Sequence, residues 1–162
     1  MCIRDRFLGG TIGNLGPEAV PAFLSSVFDE MDQGDSFLLG VQLITDADRL
    51  EAAYNDSAGL SAAFNKNMLH ALQPVLGAAF DPEAFDHVAR FNQSEHRIEM
   101  HLRSVREQVI PIPELELTLH LEEGEEILTE ISTKYTGPHV EALLTQAGFL
   151  SLIHISEPTR PY

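Results

Sequence analysis

The sequence predicts an α/β protein. Three observations predict it: an apolar stub running into a glycine-rich loop, an amphipathic helix behind the loop, and a short apolar strand after the helix. Together they read as a β-α-β unit with parallel strands. Helical periodicity then continues to about residue 76 and gives way to strand-like segments. The layout is a parallel-sheet fragment with a helix-rich insertion and a later antiparallel section, as in an α/β enzyme carrying an inserted substrate domain.

The stub is Phe7-Leu8 and the loop Gly9-Gly10-Thr11-Ile12-Gly13-Asn14. Gly16 and Pro17 lead into a helix, because proline suits a first turn whose N–H lacks a helical partner. Val20, Phe23, Leu24, Val27, Phe28 and Met31 recur at helical spacing and give it one buried stripe, and Gln33-Gly34-Asp35 stops it. Ser36 to Leu43 is short and mostly apolar, as in a strand covered on both faces. A second helix is expected from Thr45 to Tyr54, with Thr45 as its cap and Asp48 three residues on. A third is expected from Ser57 to Leu76, turning Leu60, Phe64, Met68, Ala71, Leu72 and Val75 inward. His87 to Phe91, Arg97 to Val105, Leu115 to Leu121 and Ile127 to Tyr135 read as strands, with Pro111 and Pro113 as interruptions. Glu122, Glu123, Glu125 and Glu126 read as a solvated turn around Gly124. His139 to Ala147 has helix character, and Gly148 suits its end.

The 162 residues are enough for one ordinary domain with a real core. With 10 Lys+Arg against 25 Asp+Glu, the formal charge is -15. Such a surface repels nucleic acid and anionic lipid, so neither is an expected partner. No apolar run approaches the ~18 residues that span a bilayer. One cysteine cannot form an internal disulfide or a cysteine-rich zinc site. These features point to a soluble, cytoplasmic protein that handles something small.

The two ends look foreign to the rest. Met1-Cys2-Ile3-Arg4-Asp5-Arg6 back-translates to a string whose reverse complement encodes Leu-Ser-Leu-Ile-His, and Leu150-Ser151-Leu152-Ile153-His154 stands near the other end. The ends are therefore compatible with an inverted DNA repeat resembling the transposon-end adapter used to prepare sequencing libraries. Residues 1–6 and 150–162 are expected to be such artefacts, with genuine sequence from about Phe7 to Phe149 and an internal piece of a longer protein between them.

Chemistry concentrates at a few positions. The glycine loop sits where an α/β sheet places ligands, outside the carboxyl end of a strand, and Asn14 adds a donor and an acceptor. A plain sharp turn is the competing reading. Tyr54, between two helices, has a hydroxyl that can bind a carboxylate, or is a half-buried helix-end ring. Alternation over Ile127 to Tyr135 puts Leu128, Glu130, Ser132 and Lys134 on one strand face. Glu130 and Ser132 thus project together, a carboxylate and a hydroxyl suited to a ring with two nitrogens, or else a solvated strand side. Met100 could line such a pocket or sit in the core. The seven histidines form no H-E-x-x-H or Cys-His metal pattern, and no G-x-S-x-G elbow supports a nucleophilic triad.

The stretches FLGGTIGN, LLGVQLITDADRLEAAYNDSAGLSAAFNKN, FDPEAFDHVARFNQSEHRIEMHL and GEEILTEISTKY together resemble one family, the S-adenosylmethionine-dependent L-histidine Nα-methyltransferases of ergothioneine biosynthesis. The resemblance spans nearly all of Phe7 to Phe149, in order. It implies a partial Rossmann-like methyltransferase sheet over residues 7–45 and 126–149, and an inserted α+β substrate-binding domain over about 46–125. It further implies that Gly9 meets the substrate amino group, that Asn14 and Tyr54 hold the α-carboxylate, and that Glu130 and Ser132 bind the imidazole with Met100 beside it. The family motif reads FLGSTIGN, so Gly10 departs from it by one hydroxyl. S-adenosylmethionine is the implied methyl donor, its contacts are expected upstream of Phe7, and no metal is implied. The implied protein is a monomer acting on L-histidine, and this chain alone is expected to be inactive. Two other readings stay open: a non-catalytic amino-acid-binding module, and a methyltransferase of the same family acting on a tryptophan derivative.

Overall fold

A computed structural model describes residues 4–150. The chain divides into two compact units, one made of Met1–Leu43 with Tyr135–Tyr162 and the other of Ile44–Lys134. Of the segments expected to be adapter-derived, residues 1–3 and 151–162 lie outside the described residues. Arg4, Asp5 and Arg6 form a strand with Phe7.

In the first unit that strand, β1 (Arg4–Phe7), pairs in parallel with β2 (Ser36–Leu39). Helix α1 (Ala19–Asp29) connects them, so the expected β-α-β unit is present. Helix α1 starts two residues later than Pro17, and Pro21 occupies its first turn, where an N–H has no acceptor. An isolated parallel bridge joins Leu43 to Tyr135, and α4 (Gly137–Gln146) follows, capped by the Thr136 hydroxyl. Ile12, Val20, Leu24, Tyr135 and Ala147 form the core, with Phe7, Phe23, Phe37 and Phe149 packed around it. Strand β2 is not covered on both faces as expected: its residues alternate, and Leu38 is 50% exposed.

In the central unit two helices pack on one face of an antiparallel sheet. The sheet runs β3 (Phe85–Asn92), β4 (Arg97–Ser104), β7 (Glu126–Thr133), with β4 in the middle. Because β7 hydrogen-bonds to β4, residues 126–134 belong to this unit and the chain leaves it at Lys134, not at residue 125 as the sequence suggested. Helix α2 (Ala47–Tyr54) covers Ala89, Ile98 and Met100 through Leu50 and Tyr54. Its cap is Asp46, which accepts from the Arg49 N–H at 3.1 Å, rather than Thr45. Helix α3 (Leu60–Leu76) covers Phe85 and Leu102 through Leu69.

The inward stripe of α3 differs from the expected one. Asn65 and Leu69 are buried, with Leu72 and Leu76 beside them, whereas Leu60, Phe64 and Val75 are 71%, 68% and 66% exposed. The helix carries apolar residues on two adjoining faces, so periodicity alone could not choose between them. Asn65 chooses: its amide donates to the His101 carbonyl of β4 at 3.0 Å and fixes the rotation.

A further strand was hidden by its proline. β5 (Gln108–Ile112) pairs with β6 (Leu117–Leu121) and contains Pro111. In a two-stranded ribbon each strand has an unpaired edge, which tolerates a residue lacking an N–H. Gln108, Ile110 and Ile112 alternate inward while Pro111 is exposed.

Candidate functional site

The glycine loop belongs to the first unit. Gly9 and Gly10 both take positive φ, 80° and 70°, and let the chain turn from β1 into a short 3-10 helix, Thr11–Asn14. Gly13 N–H donates to the Gly10 carbonyl at 2.9 Å, and the Thr11 hydroxyl donates back to Leu8. Ile12 is buried and anchors the turn, whereas Gly9 and Asn14 are exposed at the carboxyl end of β1, as the sequence predicts for a ligand loop. At Gly10 a side chain would meet Gln42, whose Cγ lies 2.9 Å from where a Cβ atom would stand.

Tyr54, Met100, Glu130 and Ser132 belong to the central unit. Strand alternation alone would put Ile127 on the opposite face from Glu130, but the ladder slips by one residue there. Met100 pairs with Glu130 and His101 with Leu128, so Thr129 is the extra residue of a bulge. Its hydroxyl donates to the Met100 carbonyl at 2.9 Å. The bulge brings Ile127, Glu130 and Ser132 onto the face carrying Leu102, Met100 and Ile98. Ile127 packs with Leu102, while Glu130 and Ser132 stand opposite Met100 and Ile98.

Tyr54 reaches the same place from the end of α2. Its ring packs with Met100, Ile98 and Ala89, and Met100 is 3% exposed. Three contacts fasten this helix end to β3. The Asn55 amide donates to the Ala89 carbonyl at 3.0 Å, the Phe91 N–H donates to Glu51 at 2.7 Å, and His87 Nε2 donates to the Tyr54 carbonyl at 2.8 Å. The tautomer of His87 follows from its neighbours. Asn65 Nδ2 donates to the His101 carbonyl, which can only accept, so the same NH2 group faces His87 Nδ1 at 3.0 Å as a donor. His87 Nδ1 accepts, and Nε2 carries the hydrogen.

The residue that sequence reasoning did not single out is Lys134. It is 1% exposed, and its Nζ lies 2.7 Å from the Tyr54 hydroxyl and 2.7 Å from the Ser132 hydroxyl. The Tyr54 hydroxyl donates to Ser132 at 3.0 Å, closing a triangle. The ammonium is 4.7 Å from the Tyr54 ring centroid, close to where a donor to the phenol oxygen must sit. The alternation that placed Lys134 beside Ser132 held the signal; its burial did not show. Sequence reasoning assigned Tyr54 and Ser132 to separate ends of a ligand, and the structure puts their hydroxyls in direct contact.

Charged groups elsewhere on this unit are structural. Glu126 is not part of a solvated turn: it opens β7 and bridges Arg90 and Arg103. Partial desolvation works against its charge, but hydrogen bonds from Arg103 and Arg90 outweigh it and lower its pKa. Asp56 accepts from the Leu60 and Ser61 N–H groups at 2.9 and 2.7 Å at the entry to α3. Hydrogen bonds from Ser61 and then Leu60 lower its pKa to about 2. A cavity of about 400 Å³ is lined by Asn55, Asp56, Lys66, Asp86, His87 and Arg103, and contains none of the expected site residues. No three His, Cys, Asp or Glu side chains among the described residues come together as a metal site. Among the same residues no helix is long and apolar enough to cross a membrane.

A mixed α/β chain with a glycine loop at the carboxyl end of a parallel strand is compatible with a methyltransferase domain. The chain belongs to a methyltransferase family: residues 5–160 match the model described as histidine-specific methyltransferase, SAM-dependent. Among individual proteins, it is 47% identical over 142 residues to the histidine N-alpha-methyltransferase of Mycolicibacterium smegmatis, covering 88% of this chain and 44% of that protein. It is 29% identical over 149 residues to the L-tryptophan methyltransferase trpM of Psilocybe serbica, covering 89% of this chain and 40% of the relative. Ergothioneine biosynthesis protein 1 of Neurospora crassa is 33% identical over 70 residues, 43% of this chain and 8% of that protein. The chain thus spans less than half the length of these relatives.

Proposed function

We propose that the whole protein transfers methyl groups from S-adenosylmethionine to the α-amino nitrogen of L-histidine until that nitrogen is quaternary, as a step of ergothioneine biosynthesis. The observation that carries this reading is the gathering of Glu130, Ser132, Met100 and Tyr54 on one face of the central unit, where β7 and β4 pair under the end of α2. A carboxylate and a hydroxyl two residues apart on one strand match the donor and acceptor of an imidazole, and Met100 supplies an apolar wall.

On this reading Glu130 accepts the ring N–H, Ser132 meets the other ring nitrogen and Tyr54 turns its hydroxyl to the α-carboxylate. In the first unit Gly9 offers backbone to the substrate amino group and Asn14 its amide to the carboxylate. The work of these groups is orientation: a neutral amine must lie in line with the methyl group, and no covalent enzyme intermediate is required. S-adenosylmethionine, when bound, supplies the methyl group on a sulfonium. The segment Leu8–Leu15 has no carboxylate that could take a ribose diol, and no residue of this chain is assigned to the donor. The inserted-domain architecture, a monomeric state and a cytoplasmic, reducing location are parts of the same proposal.

The test has two arms. Sequencing the source DNA across both junctions gives the upstream coding sequence, and the protein expressed from it is expected to convert histidine to its Nα-trimethyl form by mass spectrometry. Methylation of a different amine, with histidine untouched, would refute the substrate. The 162-residue chain alone is expected to transfer no methyl group, and transfer by it would refute its assignment as an inactive piece.

A further inference from the structure

The proposed substrate contact from α2 is made by Tyr54, and a residue on a different element sets where that ring stands. We propose that His87 of β3 is a positioning residue: by holding the Tyr54 carbonyl, it fixes the place of the Tyr54 hydroxyl and so how tightly the α-carboxylate of the amino acid is held. This inference rests on the histidine reading above, which gives Tyr54 the carboxylate, and deepens it.

Helix α2 cannot fix Tyr54 by its own strength. It has eight residues, none of them fully buried, and isolated helices that short are not stable in water. Tyr54 is its last residue, so no helical turn lies beyond it to donate to the Tyr54 carbonyl. His87 supplies a donor from outside. Its Nε2 lies 2.8 Å from that oxygen, which can only accept, so Nε2 carries the hydrogen.

The imidazole is held in turn from the middle of the sheet. Its Nδ1 accepts from the Asn65 amide at 3.0 Å, and the same amide donates to the His101 carbonyl of β4 at 3.0 Å. Asn65 is 3% exposed, so this end of the chain of bonds is shielded from water. The central strand thus reaches the end of α2 through Asn65 and His87. The Asn55 and Glu51 bonds to β3 fasten side chains, whereas His87 holds the backbone of Tyr54 itself.

Position is the property that matters for binding. The Tyr54 hydroxyl meets Ser132 at 3.0 Å in the structure and must turn its hydrogen to the carboxylate when substrate arrives. A hydroxyl hydrogen turns about its C–O bond without moving the ring. The ring must therefore already stand at hydrogen-bond reach, and a displacement of about 1 Å removes much of the contact. His87 and Asn55 also line the cavity of about 400 Å³, so water can replace the imidazole at the Tyr54 carbonyl. Loss of the tether then costs little stability but releases the helix end.

The experiment uses the whole protein expressed from the completed coding sequence. Mass spectrometry gives kcat and KM for histidine, and circular dichroism checks folding. Asparagine places its amide near where Nδ1 stands and keeps the Asn65 contact; glutamine places its amide near Nε2 and keeps the donor to Tyr54. His87→Asn is expected to raise KM about tenfold with kcat within about threefold, because the carboxylate is held alike in ground and transition states. His87→Gln is expected to keep KM within about threefold of the parent. Tyr54→Phe should raise KM at least as far as His87→Asn, and combining the two should raise it no further. His87→Met, as long as glutamine but without a donor, gives the same comparison should His87→Asn not fold.

Failure of His87→Gln to restore KM would overturn the inference, as would a loss confined to kcat or an unchanged KM in the variants without a donor. A full further rise in KM when His87→Asn is added to Tyr54→Phe would overturn it too, because the histidine would then act without the tyrosine hydroxyl. In each of these cases a parent that methylates histidine leaves the substrate reading standing. An unchanged KM in Tyr54→Phe removes the carboxylate role of Tyr54 and the inference with it. If the parent does not act on histidine, the substrate reading falls and takes the inference with it.

Discussion

Asn65→Ala should destabilise the chain far more than its polar, helical position suggests. Asn65 is 3% exposed, and one NH2 group serves two acceptors at 3.0 Å, the His101 carbonyl and His87 Nδ1. Removing the amide leaves both without that donor inside the unit. Each buried acceptor left unsatisfied costs about 1–3 kcal/mol, partly offset by the better helix propensity of alanine, so a loss of about 2–4 kcal/mol is expected. For a domain with about 5–15 kcal/mol in total this is a large fraction. Asn67→Ala is the matched control: the same helix and the same chemical change, but an exposed side chain, expected to stay within about 0.5 kcal/mol of the parent. Urea titration followed by circular dichroism would read the difference as a drop of about 1–2 M in midpoint at unchanged slope. Equal midpoints for the two variants would refute the accounting of Asn65 as a two-acceptor clamp. A second readout follows from the same bonds. Because the Tyr54 carbonyl can only accept, His87 Nε2 should carry the hydrogen in both proteins, and the nitrogen-15 shift of Nδ1 alone should move in Asn65→Ala as its donor is lost.

The remaining predictions concern a helix entry and a loop. Asp56 has its pKa lowered to about 2 in the folded chain, so its support for α3 is complete above the ordinary aspartate value near pH 4 and is lost as pH falls toward about 2. A pH series of urea midpoints should therefore decline over that window, and Asp56→Asn should flatten that part of the decline; an unchanged slope in the variant would exclude this carboxylate as its source. Gly10→Ser should destabilise by about 1–3 kcal/mol, from a left-handed backbone with a side chain plus the displacement of Gln42. Adding Gln42→Ala should recover part of it, and no recovery in the melting curve would show that the backbone conformation alone is responsible.

The sequence carried the β-α-β start and most element boundaries, because glycine loops, helical periodicity and turn clusters are local signals. Val20 and Leu24 face the core of α1 as their spacing required, and Gly148 ends α4 with φ of 98°. Glu130 and Ser132 could be placed together, since two residues along a strand share a face whatever lies beyond it. Local pattern failed wherever two answers were locally equivalent. Helix α3 has apolar residues on adjoining faces, and only a hydrogen bond to β4 selects the buried one. Pro111 breaks a ladder in the middle of a sheet but not on an unpaired edge, and which case applies depends on the partner strand. The chain by itself thus determined that a carboxylate and a hydroxyl, Glu130 and Ser132, share one face of β7. The tertiary structure decided what surrounds them: a register slip at Thr129 and the convergence of α2 on β7 bring Tyr54 and Lys134, eighty positions apart, within hydrogen-bond distance of the same serine. No periodicity encodes such a contact, because it depends on where two separate elements come to rest.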